Sequence, residues 1–407
     1  MMRYKFLVDG QTISRSEVVS LDIMSNCKFS GKKWSINFVG FILKKNITIV
    51  SFPKHYIKNN NIENLNELEI KNYIEILKKL FKKLSKNVQG VFYGDENLNI
   101  FPINSYLYVC DYYIRYGIHT NKISEIKKDV YGEIDWSHTL LKSNKLIINN
   151  RIVFENFYAK NNQKEDSMIT YIMDFVLSDG YISAGKFLNI GVPYQQKFTN
   201  KSFESNYMLN ILYSYKQKVF KDSEIQLINS LIDYIQWKSH STNKTKLITS
   251  NFNLVWEKLV HNYITKNINT IISLDTDLSE EVSDDENFYF EEKLEQFLPG
   301  KRFKVIYDHI GYSRNTILLL DSKYYFDVEK LDYKQYSYHF IIQDNKIFTS
   351  QTKTIFNSLI IPTNNSNYIK THINMSINNI KNNQDQSINI KISELYLNLY
   401  LLIQLYV

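Results

Sequence analysis

A short apolar run that ends in two charges, TILLLDSK at 316–323, constrains the fold of this chain more than any other stretch. Consecutive apolar residues bounded by polar ones predict a strand that is buried on both faces. Asp321 and Lys323 are two residues apart, so their side chains are expected on the same face of that strand. Every buried strand must end somewhere, so this pair alone is weak evidence for chemistry.

The elements around this run are predicted in the order helix, strand, turn, strand, helix, strand. Helical spacing of apolar residues marks the first helix, and Gly, Ser and Asn mark the turn. Pro362 closes the last strand. The segments are, in that order, FNLVWEKLVHNYI (252–264), FKVIYD (303–308), HIGYSRN (309–315), TILLLDSK (316–323), VEKLDYKQYSYHFIIQ (328–343, a helix or a helix running into a strand) and TIFNSLIIP (354–362).

Acidic residues fall at the predicted strand ends. Asp308 ends the first strand of this hairpin and Asp321 ends the second, so the two carboxylates can meet if the chain bends near Asp308. Two carboxylates and a lysine on one surface suit a hard cation such as Mg²⁺ and a phosphate group. The ion lowers the pKa of a bound water and stabilises charge during attack on a phosphodiester. Lys323 would position that water or offset the new negative charge.

Two helical residues complete the pattern. Glu257, on the helix before the hairpin, is a possible third acid, although such a residue is more often a surface carboxylate. Gln335, on the helix after it, could instead cap or pack. The histidines show no metal-ligand spacing and are expected to be structural: His138, His261, His309 and His339. Together the acids and the lysine describe a D…(D/E)-x-K nuclease core with a helix on either side.

Several ordered motifs resemble one known family. ILLLDSKYY, DYKQYSYHF and FNSLIIP resemble the nuclease half of LlaJI-type restriction endonucleases, which are relatives of the McrC subunit of the McrBC modification-dependent restriction system. GEIDWSHT at 132–139 resembles a block that precedes the helical region of that family. The resemblance covers about residues 130–362. It implies a C-terminal PD-(D/E)xK domain, in which a mixed sheet is flanked by helices.

The resemblance also implies roles for particular residues. Asp308 and Asp321 would bind the metal, Lys323 would be the motif lysine, and Glu257 and Gln335 would lie beside the active site. Tyr307 stands where the family motif usually has proline, which leaves Asp284, Asp285 and Glu292 as alternatives to Asp308.

The resemblance further implies a partner. McrC-like proteins bind and stimulate a McrB-like AAA+ GTPase through their N-terminal part, and DNA is their substrate. The sequence contains no GxxxxGK[ST] motif, so GTP would be bound by the partner. Cleavage of both strands would favour two nuclease subunits on one duplex.

Composition and patterning set the wider frame. A chain of 407 residues predicts two or three domains, and the net charge of +7 suits a polyanionic partner. Two cysteines without a CxxC motif indicate neither zinc nor disulfides and fit a reduced cytoplasm. No signal peptide is expected, and INFVGFILKKNITIVSF predicts two strands and a turn rather than a membrane span.

The chain is expected to be α/β (α+β) in four parts. A β-rich domain spans 1–130, with strands in 1–60 and 88–115 and a helix over 70–84, and would contact the GTPase. A connecting, largely helical region spans 131–250, and its first residues, 130–160, look strand-like. The nuclease domain spans 251–365, and a C-terminal extension with a terminal helix spans 366–407. The acidic segment 275–297 predicts a linker or a solvated helix.

Three functions remain open. The first is a Mg²⁺-dependent DNA endonuclease subunit that cleaves together with its GTPase. The second is a non-catalytic activator or adaptor of that GTPase with a degenerate nuclease fold, although an intact Asp321-Ser322-Lys323 argues against decay. The third is a plain nucleic-acid-binding module, against which the modest charge counts.

Overall fold

The computed structural model describes residues 3–58, 62, 65–87, 99–198, 204–241, 244–275, 279–280, 282, 287–297, 304–328, 333–343, 354–378 and 387–407. The chain forms two compact units, one from residues 1–97 and 246–407 and the other from residues 98–245. This division differs from the four consecutive parts expected from the sequence. The difference arises because the first unit is discontinuous in sequence. Its two segments pack together, and the residues of the second unit come between them along the chain.

The first segment of the discontinuous unit is mainly β-structure followed by one long helix. Its elements are β1 (Arg3–Val8), β2 (Thr12–Ile13), α1 (Arg15–Ser20), a 3₁₀ turn (Met24–Asn26), β3 (Cys27–Ser30), β4 (Lys33–Ile36), β5 (Val39–Lys44), β6 (Ile47–Phe52) and α2 (Glu67–Asn87). INFVGFILKKNITIVSF forms the antiparallel pair β5 and β6, as predicted. Helix α2 contains the predicted helix, and its apolar face is buried at Leu77, Phe81 and Leu84.

The inserted unit combines a helical core with small sheets. Its elements are α3 (Ile103–Tyr116), β7 (Asn121–Lys128), β8 (Glu133–Ile134), α4 (Trp136–Lys142), β9 (Lys145–Ile148), β10 (Arg151–Phe154), β11 (Tyr158–Glu165), α5 (Met168–Gly180), a π-helical turn (Tyr181–Gly185), α6 (Lys186–Leu188), α7 (Ser205–Lys216) and α8 (Asp222–His240). Strands β7, β11 and β8 form one sheet, and β9 and β10 form a hairpin.

The strand prediction for residues 88–115 is wrong where the structure describes them from Ile103 onward. Ile103, Tyr106, Val109 and Cys110 are buried along one side of α3, which is helical spacing. The aromatic and β-branched content favoured a strand, but the period of the buried positions decides the element. Residues 88–98 lie outside the described part of the chain.

The second segment of the discontinuous unit begins with β12 (Lys244–Thr249), which joins the sheet of order β1-β6-β5-β12. The elements that follow are α9 (Phe252–Ile264), α10 (Ile268–Ile272), β13 (Tyr289–Phe297), β14 (Lys304–Tyr312), β15 (Thr316–Ser322), α11 (Tyr333–Gln343), β16 (Thr354–Thr363), β17 (Tyr368–Asn378), β18 (Ser387–Asn398) and α12 (Leu399–Tyr406). Helix α9 spans the predicted residues, and both β15 and β16 confirm predicted strands.

Six strands form a mixed sheet of order β13-β14-β15-β16-β18-β17. Strands β15, β16 and β18 run parallel, and the remaining neighbours are antiparallel. Helices α9, α11 and α12 contact this sheet, and α12 also packs against α2. The fold is therefore mixed α/β with a mixed sheet, as predicted. The last 42 residues, expected as an extension, supply β17 and β18 to this sheet as well as the predicted terminal helix.

Two local predictions in this region are wrong. Residues His309–Tyr312 are not a turn, because they pair with Leu320–Ile317 and are largely buried, so the turn is at 313–315. Asp308 therefore lies within β14 and does not end it. The acidic segment ends in an edge strand, β13, rather than in a linker or helix. Its residues 276–278, 281 and 283–286, which include Asp284 and Asp285, lie outside the described residues.

Within the described ranges, no helix is long and apolar enough to cross a membrane.

Gly40 in β5 provides a test of this packing. Its φ is +126°, and an added Cβ would collide with the carbonyl oxygen of Leu247 and lie 2.7 Å from Phe81 Cζ. Gly40→Ala is therefore expected to lower the free energy of unfolding by about 3 kcal/mol or more, measured by urea denaturation. Gly31→Ala is the control, because φ is +56° there but nothing lies within 4 Å. It should cost only about 1 kcal/mol. An equal decrease in the free energy of unfolding in the two variants would contradict the predicted clash at Gly40.

Candidate active site

Asp308 and Asp321 come together because β14 and β15 are antiparallel neighbours. The register pairs His309 with Leu320, and continuing it by one step brings Asp308 opposite Asp321. The backbone N–H of Ser322 donates a hydrogen bond to Asp308 Oδ2 at 3.0 Å. The sequence thus predicted the meeting of these carboxylates for a partly wrong reason, since the strand register rather than two strand ends brings them together.

Asp321 lies between two ammonium groups. Its side chain is 2% exposed, Lys323 Nζ lies 2.5 Å from Oδ2, and Lys334 Nζ lies 3.2 Å from Oδ1. A buried carboxylate is stable only when it is paired, because its charge has lost its hydration. The Asp-x-Lys spacing predicted the first of these contacts, and the backbone N–H of Lys323 further anchors the segment by donating to the carbonyl oxygen of Ile360 at 2.8 Å.

Lys334 is the site residue that sequence reasoning missed. It comes from α11, and its ammonium group also lies 5.1 Å from the centroid of the Tyr338 ring. Half-burial works against the charge, but Asp321 and Asp308 hold the pKa of Lys334 above its ordinary value. The available signal was its position beside Gln335, four residues before Tyr338, at the start of a helix expected to lie over the sheet.

Asp308 has the opposite environment. Burial, followed by the charges of Asp321 and Glu257, raises its pKa to about 6, and Lys334 only partly opposes this. Asp321 and Glu257 are therefore both close enough to Asp308 for their charges to act on it. Glu257 reaches the site from α9 and pairs with Lys293 of β13 at 3.3 Å. Glu292, the remaining described alternative to Asp308, lies on β13 opposite His309.

Gln335 is fully buried and links α11 to the sheet. Its Nε2 donates to the carbonyl oxygen of Leu319 at 3.3 Å and to Asn357 Oδ1 at 2.5 Å. Asn357 Nδ2 donates in return to the carbonyl oxygen of Gln335 at 3.2 Å. These bonds fix the first turn of α11 over β15 and β16, and so place the neighbouring Lys334 at Asp321.

Buried His309 and half-buried His261 lie next to the acids. His309 Nε2 is 2.9 Å from Ser322 Oγ, and the His309 ring stacks on His261 at 5.5 Å. Burial, followed by the charges of His261 and Lys293, lowers the pKa of His309 to about 3. His309 is therefore neutral at physiological pH and packs as a core residue between β15 and α9.

The segment after Lys323 is held by the N-terminal part of the same unit. Tyr324 is buried, and its hydroxyl accepts a hydrogen bond from the backbone N–H of Lys54 at 2.8 Å. Lys54 Nζ donates to the carbonyl oxygen of Tyr324 at 3.3 Å. The ring of Phe326 lies against Gly10, where a Cβ would come within 2.6 Å of it. No sequence motif signalled these contacts, because they join residues about 270 positions apart.

The carboxylates suit a magnesium ion better than a metal that needs a full protein cage. In the part of the chain that the structure describes, no three His, Cys, Asp or Glu side chains form a ready metal-binding group. Mg²⁺ commonly uses one or two carboxylates and completes its shell with water and substrate oxygens. Asp308 and Asp321 fit that requirement, and burial and the neighbouring carboxylates raise the pKa of Asp308, so a cation beside it would favour its ionised form.

Comparisons with known proteins give one family. A model of the LlaJI restriction endonuclease family matches residues 38–392. One similar structure is a refined half-complex from the tetradecameric assembly of Thermococcus gammatolerans McrB AAA+ hexamers with bound McrC. Its identity is 10%, its TM-score is 0.44, and 98% of this chain and 95% of that chain are covered. Another is the cryo-EM structure of the Thermococcus gammatolerans McrBC complex. Its sequence identity is 11%, its TM-score is 0.27, and 65% of this chain and 88% of that chain are covered. No curated protein matches significantly.

The unequal environments of the two aspartates give a pH-dependent prediction. The pKa of Asp308 rises from 3.8 to about 6 on folding, so its ionised form destabilises the folded protein above pH 6. Asp308→Asn is therefore expected to raise the free energy of unfolding at pH 8 by about 1 kcal/mol without divalent cations, after allowing for solvent screening. The gain should shrink as the pH falls through 6 and vanish below 3.8, where the carboxyl group is neutral in both states.

Asp321→Asn is the matched control for that measurement. It leaves Lys323, whose side chain is 13% exposed, without its carboxylate. A loss of about 3 kcal/mol is expected at pH 8, measured by the same urea titration. If both variants change stability in the same direction, the two carboxylates are not in the opposite environments described here.

Proposed function

The chain belongs to the LlaJI restriction endonuclease family, and we propose that it is a Mg²⁺-dependent nuclease subunit that hydrolyses DNA phosphodiester bonds at Asp308, Asp321 and Lys323. Family membership supports a nuclease subunit of a restriction system. The metal dependence, the site residues and the partner are part of the proposal.

One observation carries the proposal. Asp308 and Asp321 lie opposite each other at a buried strand, and Lys323 and Lys334 both pair with Asp321. An ordinary strand end would expose its charges to water, because isolated buried charges are costly. Here burial, followed by the charges of Asp321 and Glu257, raises the pKa of Asp308 more than Lys334 and the Ser322 N–H lower it. Such a site can take a divalent cation and an anionic phosphate side by side.

Each residue has a distinct part in the proposed hydrolysis. When bound by Asp308 and Asp321, Mg²⁺ would lower the pKa of a water molecule and offset charge on the phosphate. Asp321 pairs with Lys323 and holds its ammonium group at the site, where it can donate to a phosphate oxygen that gains charge as water attacks phosphorus. Lys334 contributes a second positive charge and, with 46% of its side chain exposed, can contact the DNA backbone. Glu257, which pairs with Lys293, would add negative charge near the cation site.

A McrB-like AAA+ GTPase is the proposed partner. The chain lacks a P-loop motif, so a GTP requirement must be met by another protein. The resemblance to McrC-like proteins supports this partner and its attachment to the N-terminal part of the chain. In the proposed assembly, GTP binds to the partner, DNA is the substrate, and two nuclease subunits meet on one duplex to cut both strands.

The first experiment compares plasmid cleavage by the wild-type chain and by Asp321→Ala, each in the presence of the proposed McrB-like GTPase, Mg²⁺ and GTP. Wild-type cleavage is expected to fall by at least about 10³-fold in the variant, because the metal ligand and the partner of Lys323 are both lost. GTP hydrolysis by the complex should remain, which controls for assembly. If neither protein cleaves while both stimulate GTP hydrolysis, the chain is an activator or adaptor and the nuclease proposal fails.

Lys334 is tested separately with Lys334→Gln. Cleavage is expected to fall by about 10²-fold, since one cation near the scissile phosphate is removed. Lys304→Gln is the control, because Lys304 is an exposed lysine that pairs with Glu295 at 2.8 Å and has no place at the acids. Cleavage rates at several Mg²⁺ concentrations are the readout. Equal rates for the two variants would remove Lys334 from the site.

A further inference from the structure

A basic and aromatic pocket lies on the small sheet of order β2-β4-β3, outside the carboxylate site. Its volume is about 510 Å³. Its lining comes from β2, the start of α1, and the β3–β4 hairpin: Thr12, Ile13, Ser14, Arg15, Phe29, Lys32, Lys33 and Trp34. Of these described lining residues, three are cationic, two are aromatic and none is acidic. This composition suits an anionic ligand that has a flat ring.

The three cations of this pocket are available to a ligand. Arg15, Lys32 and Lys33 are exposed, and within the described ranges none of them makes an ion pair. The nearest carboxylate in sequence, Glu17, is already paired with Lys5 at 3.1 Å. A ligand phosphate would therefore meet positive charge that no neighbouring acid neutralises.

The hairpin loop holds these lysines in place. Gly31 and Lys32 have φ of +56° and +70°, which is the two-residue turn expected between strands that pair Ser30 with Lys33. Lysine seldom adopts this left-handed conformation, whereas Asn and Gly adopt it readily. The turn conformation therefore does not favour lysine at position 32, whereas the charge of lysine suits an anionic ligand.

The aromatic part of the pocket can take a base. The Phe29 ring is 61% exposed and lies 5.0 Å from Trp34, centroid to centroid. An exposed ring on a cationic surface is the arrangement on which unpaired bases stack, whereas a paired duplex offers mainly its phosphates.

The pocket is also within reach of DNA held at the carboxylates. Thr12 is two residues from Gly10, Gly10 contacts Phe326, and Phe326 is three residues from Lys323. At the full extension of each segment, and with the Gly10–Phe326 contact included, this path from Thr12 to Lys323 is at most about 27 Å, or about eight nucleotides of a strand. Lys28, next to Phe29, and Lys54, beside Tyr324, are close enough for their charges to repel, although Asp9 offsets the charge of Lys54 more strongly.

We propose that this pocket binds an unpaired nucleotide of the DNA strand beside the cleavage site. Arg15, Lys32 and Lys33 hold its phosphates, and the base stacks on Phe29. The inference rests on the proposed function in one respect, namely that DNA is the substrate.

The test measures binding of the full chain to a labelled single-stranded oligonucleotide and to its duplex, by fluorescence anisotropy without divalent cations. The wild-type chain should bind the single strand more tightly than the duplex. Lys32→Asn/Lys33→Gln should reduce the slope of log K against log salt by about 1.4, or 0.7 for each lost phosphate contact. Asn at position 32 suits the turn, and thermal melting checks that the variant folds.

A matched control separates the pocket from net charge. Lys71→Gln/Lys79→Gln removes the same charge from the exposed face of α2 and should leave the slope unchanged. Phe29→Leu keeps an apolar strand residue without the ring, and should weaken single-strand binding by about tenfold at an unchanged slope. The proposal is overturned if the two lysine pairs have equal effects, if Phe29→Leu binds like wild type, or if the duplex is bound as tightly as the single strand.

Cleavage is measured in parallel so that the two proposals can fail separately. Loss of cleavage in Asp321→Ala together with unaltered binding in all pocket variants would retain the nuclease and reject the pocket. Weakened binding in the pocket variants without any wild-type cleavage would retain the pocket and reject the nuclease.

Discussion

The site depends on the double ion pair of Asp321 with Lys323 and Lys334. A carboxylate that is 2% exposed requires partners of opposite charge, and it obtains one from its own strand end and one from α11. The second partner is available only because Gln335 and Asn357 fasten the first turn of α11 to β15 and β16. One buried charge therefore sets the position of a helix, and that helix delivers the second lysine to the site.

Asp308 shows why the ion pairs of Asp321 matter beyond stability. The two carboxylates face one another across neighbouring strands, and both lysines pair with Asp321. Burial, followed by the charges of Asp321 and Glu257, raises the pKa of Asp308 to about 6. Stability alone would have been served by a neutral residue at position 308, since ionised carboxylates in close proximity repel. Residues that raise the energy of the folded state persist at functional sites, where a ligand offsets their cost. The imbalance at Asp308 is a cost that the proposed cation would offset.

The helices and strands that carry the site were largely predictable from the sequence, but the contacts between them were not. The apolar run before Asp321 and the apolar period of α9 depend on local pattern, so they could be read directly. Asp308 was assigned to a strand end because Gly311 and Ser313 resemble a turn, whereas the ring of Phe290 packs against Gly311 within a continuous strand. The position of Lys334 beside Gln335 was the only local signal for its role, and it was not enough to show which turn of α11 faces Asp321.

The discontinuous unit was hidden for the same reason. The contact of Lys54 with Tyr324 joins residues 270 positions apart, and no periodicity within either segment signals it. This contact couples the movements of the two segments. Tyr324 follows Lys323 directly, is buried, and is bonded through both its hydroxyl and its carbonyl oxygen to Lys54. A packed interior transmits displacement rather than absorbing it. Any movement of the loop after β6 must therefore move the residue next to Lys323, which links the position of the N-terminal segment to the geometry of the carboxylate site.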